Sequence, residues 1–347
     1  MKALTVLPGE AGSLAVSDVP DPVRAAGDLL ADGLAVGVCG TDKEIAAGYY
    51  GTAPPGEQRL VLGHESLGRV REAPAGSGFA AGDLVVGVVR RPDPLPCAAC
   101  AHGEFDMCRN GRYTERGIKE LPGFASEAWA VDPEYAVRLD AGLEPVGMLM
   151  EPTSVVAKAW EQIERIGARG FFAPRRVLVT GAGPIGLLAA LLGVQRGLDV
   201  HVLDRVTSGP KPHLVHLLGA TYHHDVGAAL AVVPDVIIEA TGAAPVVRAC
   251  LDGTGAAGIV CLTGVSAAGS EMPVDLGALN RTLVLDNSVI VGSVNANLRH
   301  YRLAADALAV ADLSWLQQLV SRRVPLGDFA DAFAARDEDV KVVLTLD

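Results

Sequence analysis

The chain lacks any excess of positive charge: 29 lysines and arginines stand against 41 aspartates and glutamates, a formal net charge of -12. That balance gives no broad attraction for phosphate backbones or anionic membranes, so neither nucleic acid nor a membrane is an expected partner. A leading apolar segment is missing too. Residues 1–10 carry one lysine, no continuous hydrophobic stretch and no cleavage pattern. They read as an opening strand, and the cytoplasm is the expected compartment. The longest uncharged stretch, 177–195, is interrupted by Gly181, Gly183, Pro184 and Gly186, which suits a strand, a tight turn and a buried helix better than a membrane span. There is no internal repeat and no low-complexity tract. Cysteine is sparse: there are six, and four of them fall in the first third of the chain inside motifs. In a large cytosolic protein such clustering points to metal or catalysis rather than to disulfides.

What is present suits a compact protein with two cores. Half of the 347 residues are hydrophobic and a fifth are charged, and the length exceeds that at which one core usually stops growing. The first 150 or so residues carry short apolar runs, such as 60–62 and 84–89, separated by Gly, Pro and Asp clusters, which predicts a barrel-like β domain. From Val155 the pattern changes. Residues 155–166 have helical spacing, and apolar strands then alternate with helical segments. Strands are expected at 176–180, 199–204, 235–240, 258–264 and 289–294, their continuous apolar character fitting a parallel sheet covered on both faces. A helical segment follows Asn297, and a last strand at 340–346 is expected to return to the first domain. The fold class is thus α/β, with one domain over 1–155 joined by 298–347 and a second over 156–297.

The strand at 176–180 runs directly into Gly181-Ala182-Gly183-Pro184-Ile185-Gly186 and an apolar helix. Strand, glycine turn and helix come in the order of a dinucleotide fingerprint: one glycine for the turn, one for close approach of the pyrophosphate, one for helix packing. The helix N-terminus then presents free N–H groups to the pyrophosphate. Asp204, eighteen residues after Gly186, ends the next strand, where a carboxylate accepts from the ribose hydroxyls of NAD. Arg205 follows it, and a guanidinium there suits the 2′-phosphate of NADP. Either coenzyme is therefore compatible with the sequence.

Cys39 and His64-Glu65 supply a thiolate, an imidazole and a carboxylate, all good zinc donors. Taken in order, Cys39-Gly40-Thr41-Asp42, Leu62-Gly63-His64-Glu65, the closely spaced Cys97, Cys100 and Cys108, and the glycine fingerprint resemble the medium-chain zinc alcohol dehydrogenases over essentially the whole chain. Glu115-Arg116-Gly117-Ile118-Lys119, Glu151-Pro152-Thr153-Ser154 and Val291-Gly292-Ser293-Val294-Asn295 resemble the glucose 1-dehydrogenase branch in particular. This resemblance implies a GroES-like β-barrel catalytic domain, a Rossmann coenzyme-binding domain and a homodimer or homotetramer whose edge strands pair between subunits. It implies a catalytic zinc on Cys39 and His64, with Glu65 as a direct or alternating ligand and Glu151 as a ligand or water-mediated partner. Thr41 would relay the departing proton, and Glu115, Glu151 and Asn295 would contact the sugar. Cys97, Cys100 and Cys108 match three of the family's four structural-zinc ligands. Pro94 stands where the remaining cysteine is expected, which makes its neighbour Asp93 the candidate fourth ligand, the alternative being a loop that has lost its metal. Val155 departs from the family, standing where some relatives carry an aspartate that touches the sugar. Cys250 and Cys261 lie in apolar segments and read as core residues.

The chemistry these residues imply is hydride transfer from a sugar or polyol hydroxyl to NAD(P), with glucose as the leading substrate. Alditols, cyclitols, aminocyclitols and threonine are the alternative substrates within the family. A zinc-free enone reductase and a non-enzymatic nucleotide-binding sensor are the readings outside that chemistry.

Overall fold

The computed structural model describes residues 1–266, 269 and 271–346. The chain divides into two units, Met1–Ser154 with Ala296–Asp347, and Val155–Asn295.

The first unit is built on an antiparallel scaffold whose organising strand is Leu29–Val38. One edge of that strand pairs with Glu65–Glu72. The other edge is shared: Ala128–Val131 pairs with residues 29–32, and the C-terminal strand Lys341–Thr345 pairs with residues 35–38. Beyond Lys341–Thr345 lies Val320–Pro325, in a parallel pairing. The return of the C-terminus to the first domain therefore has a definite register, in which Val342 faces Val38 and Lys341 arrives beside the turn at Cys39. Leu4, Val36, Leu62, Phe124, Trp129 and Leu344 belong to one buried cluster. Phe124 and Trp129 meet edge to face with centroids 4.9 Å apart, a geometry worth about 0.5–1.5 kcal/mol beyond area burial.

The second unit holds a six-stranded sheet in which every pairing is parallel. In space the order runs Thr221–His223, Asp199–Leu203, Arg176–Thr180, Val236–Glu239, Ile259–Leu262, Val289–Gly292. Counted along the chain this is 3-2-1-4-5-6, the doubly wound Rossmann order, in which ligands rest outside the carboxyl ends of the strands where the order reverses. The helix Pro184–Gln195 buries Gly186 through Gly193 without a polar face, as expected of a helix covered on all sides. Among the described residues no helix is long and apolar enough to cross a membrane.

Candidate active site

Cys39 caps the helix Gly40–Ala46. Its sulfur accepts from the Thr41 N–H at 3.3 Å, and the Asp42 carboxylate accepts from the Cys39 N–H at 2.9 Å. This reciprocal cap fixes the thiol at the end of Leu29–Val38, because both partners lie within three residues of it. The strand Glu65–Glu72 runs alongside and carries His64 and Glu65 to the same place. The Cys39 sulfur lies 3.1 Å from His64 Nε2, and one ligand atom each from Cys39, His64 and Glu65 lies within 4.8 Å of the others.

The surroundings tune this trio. His64 Nδ1 is buried 3.4 Å from Asp42 Oδ1, and neither atom has a hydrogen-bond partner. An imidazole with Nε2 toward a thiol and Nδ1 toward a carboxylate is oriented as metal-bound histidines are. Burial works against the imidazolium, but Cys39 and Asp42 outweigh it and raise the His64 pKa well above its ordinary value. Glu65 is buried against Lys341, whose Nζ donates to both carboxylate oxygens at 2.6 Å. Burial opposes the Lys341 charge, yet Glu65 and Cys39 hold its pKa above the usual range. Gly37 leaves room for this pair, since a Cβ there would stand 1.8 Å from Glu65 Oε2. Glu151 lies in the first turn of the helix Met150–Gly167. Burial pushes its carboxyl up to about 7, with His64 opposing the shift and Glu65 adding to it. A thiolate, an imidazole and carboxylates gathered in this way are a donor set that fits zinc.

Glu115 is not part of a surface cluster with Arg112 and Arg116. It is buried, and its Oε1 accepts from Arg90 Nε at 3.1 Å and from the Arg90 terminal nitrogen at 2.9 Å. Arg112 instead pairs with Asp93, while Arg116 donates to the Ala130 carbonyl and is driven down to about 9 by burial. The Arg90 guanidinium also stacks 3.6 Å from the Tyr113 ring centre.

Cys97, Cys100 and Cys108 form a second group, with their sulfurs within 4.8 Å of one another. The Arg109 and Cys100 N–H groups draw the Cys97 thiol down to about 6, whereas burial pushes Cys100 up to about 11. Asp93 is absent from the cluster, and its oxygens already accept from the Leu95 N–H at 2.8 Å, Asn110 at 2.8 Å and Arg112 at 3.3 Å. Its carboxylate braces the loop from within.

In the second unit the fingerprint adopts the expected geometry. Gly181 has φ +89°. Gly183 caps the helix and Pro184 opens it, with Ile185 in its first turn. Gly186 lies so close to the turn that a Cβ there would be 1.7 Å from the Gly181 carbonyl oxygen. Asp204 Oδ2 accepts from the Ala182 N–H at 2.7 Å and lies 3.6 Å from Lys211 Nζ. Arg205 is exposed, and Asn295 is a left-handed residue with φ 63°. The sequence motifs did not single out Asp42, Arg90, Lys211 or Lys341. Of these only Asp42 had a local signal, its position three residues after the capping Cys39.

Two family models cover nearly the whole chain. Residues 25–141 match the alcohol dehydrogenase GroES-like domain and residues 144–346 match the glucose dehydrogenase C-terminus. The chain is 39% identical to a glucose 1-dehydrogenase of Methanocella arvoryzae, over 100% of this chain and 99% of that one. It is 40% identical to a glucose 1-dehydrogenase of Thermoproteus tenax, over 99% of each. The structure superimposes on Haloferax mediterranei glucose dehydrogenase, solved in complex with NADP, Zn and gluconolactone, with TM-score 0.92, 33% identity and coverage of 100% and 99%. With its site residues in these places and its relatives matched from end to end, the chain belongs to the zinc-dependent medium-chain alcohol dehydrogenase family, in its glucose dehydrogenase branch.

Proposed function

We propose that this protein oxidises an aldose, glucose foremost, with NADP or NAD as hydride acceptor, at a zinc site formed by Cys39, His64, Glu65 and Glu151. The observation that carries the reading is the convergence of the Cys39, His64 and Glu65 ligand atoms, in a chain similar over its full length to proteins named glucose 1-dehydrogenase. Zinc bound there supplies Lewis acidity that makes a substrate hydroxyl easier to deprotonate. Asp42 orients the imidazole, and Lys341 holds Glu65 ready as a direct or alternating ligand. The Thr41 hydroxyl, one residue into the helix capped by Cys39, carries the proton away. Glu115, held rigid by Arg90, supplies a fixed hydrogen-bonding group for the sugar hydroxyls, together with Glu151. The Gly181–Gly186 turn would hold the pyrophosphate of the coenzyme. Asp204 and Lys211 meet its ribose side, and Arg205 and Lys211 supply the cations that a 2′-phosphate needs.

Cys97, Cys100 and Cys108 would hold a second zinc through their sulfurs, with Asp93 bracing their loop. All six cysteines are unpaired, as a reducing cytoplasm keeps them. Val289–Gly292 ends the parallel sheet, and Val284, Leu285 and Val294 are exposed near it in sequence. Such an edge suits strand pairing with a second copy. Light scattering should then give at least twice the 35.9 kDa chain mass, and a monomer would contradict this.

The functional reading is tested by following NAD and NADP reduction with aldoses, alditols and cyclitols. Preferred turnover of aldoses supports it. Turnover confined to alditols or cyclitols, a shift that Val155 in place of a sugar-contacting acid would favour, moves the enzyme to a sister branch. Enone reduction without metal overturns the zinc chemistry.

A further inference from the structure

Glu239, at the end of Val236–Glu239, is fully buried and has no part in the chemistry described above. Its carboxylate accepts from Thr180 Oγ1 at 3.1 Å, from the Thr241 N–H at 2.8 Å, from the Thr241 hydroxyl, and from the Gly242 N–H at 3.2 Å to each oxygen. All of these partners are neutral donors. The main chain around it is equally tied down: the Thr263 and Gly264 N–H groups both donate to the Glu239 carbonyl, at 2.8 and 2.9 Å. A Cβ on Gly264 would stand 2.7 Å from Glu239 Oε2, and one on Gly181 would touch the Thr241 methyl at 3.0 Å.

Through its side chain and its carbonyl, one residue therefore joins the exits of three neighbouring strands, Arg176–Thr180, Val236–Glu239 and Ile259–Leu262. The first two are the pair between which the strand order reverses, where doubly wound sheets receive their ligand. We propose that Glu239 is the residue that biases this site toward the oxidised coenzyme, by fixing a buried carboxylate at the strand ends on which the dinucleotide rests. The inference depends on the reading of this unit as the coenzyme-binding one. The nicotinamide ring is cationic only when oxidised, whereas the pyrophosphate charge is the same in both forms. A buried anion thus changes the ratio of the two affinities, while loss of shape or hydrogen bonds weakens both alike. Glu239 acts through this field and through the Thr241–Gly242 turn, as a positioning residue.

The test is calorimetric titration of the whole protein with NADP+ and with NADPH. Glu239→Gln keeps the volume and removes the charge, and it should lower the affinity for NADP+ relative to NADPH by about ten-fold. An unchanged ratio, even with both affinities reduced, would overturn the proposal. Should Glu239→Gln not fold, Glu239→Asp decides: it keeps the charge, so the ratio should stay within about two-fold of wild type although both affinities fall. A collapse of the ratio in the aspartate variant would mean that shape sets the preference, which also overturns it. Wild-type protein that binds neither form would instead remove the coenzyme reading on which the inference stands.

Discussion

Lys341 is 276 residues from Glu65 in sequence, yet its ammonium meets both oxygens of that carboxylate at 2.6 Å. Both side chains are almost wholly buried, with 2% and 3% exposure, so each is the other's replacement for water. Removing one partner of a buried pair leaves an uncompensated charge. Lys341→Met should therefore cost about 3–5 kcal/mol in urea unfolding, and a loss under about 1 kcal/mol, typical of exposed pairs, would contradict the assigned role. No local pattern reveals this lysine; only the sheet register brings it to the site. Cys39, His64 and Glu65 were legible because their motifs lie in strand-end contexts a few residues long. Asp93 shows the opposite case. Its place beside Pro94, where the resemblance expects a cysteine, made it the candidate zinc ligand, and in the structure its oxygens accept from Leu95, Asn110 and Arg112. Metal analysis by mass spectrometry should show Cys97→Ser losing about one zinc per chain and Asp93→Asn retaining it, because three thiolates make the site. Zinc loss in Asp93→Asn would restore aspartate as a ligand.

At the scale of elements, the glycine fingerprint was legible because strand, turn and helix follow one another without insertion. Gly186 is constrained by packing, since any side chain there meets the Gly181 carbonyl. Gly186→Ala should separate Pro184–Gln195 from its strand, with a cost of about 1–3 kcal/mol and much weaker coenzyme binding. Unchanged titration of NADP would refute that packing role. The strand Thr221–His223 escaped sequence reading because it is three residues long and polar, at the sheet edge, where no buried run marks it. The C-terminal return has its own anchor. Arg322 donates to both oxygens of Asp339, at 2.8 and 2.7 Å, and to Asp331 at 3.0 Å. Its guanidinium holds the Asp339 carboxyl below the usual range. A lowered carboxyl pKa contributes stability that is complete above the unfolded-state value and is lost as pH falls through the folded value. Asp339→Asn should thus destabilise the protein by about 1.5–3 kcal/mol at neutral pH. The gap from wild type should narrow once pH falls below about 4. A gap independent of pH would show that charge is not its source.

At the scale of the whole molecule, each unit carries one half of the proposed chemistry. The first gathers Cys39, His64, Glu65 and the buried Glu115 on an antiparallel scaffold closed by the C-terminal strand. The second presents the dinucleotide turn at the switch point of a parallel sheet. The change from short, punctuated apolar runs to continuous ones marked this division in the sequence, because half-covered and fully covered strands need different side chains. The substrate was less legible. The proposed sugar contact Glu115 sits in a buried network with Arg90, whose members are set by tertiary contact. The account rests on zinc-dependent oxidation of a sugar, and glucose-dependent reduction of NADP and NAD, before and after chelation and again after zinc is restored, tests it most directly. It predicts activity that is lost on chelation, regained with zinc, and absent in Cys39→Ser whatever metal is added. Full turnover of glucose by the chelated protein or by Cys39→Ser would contradict it.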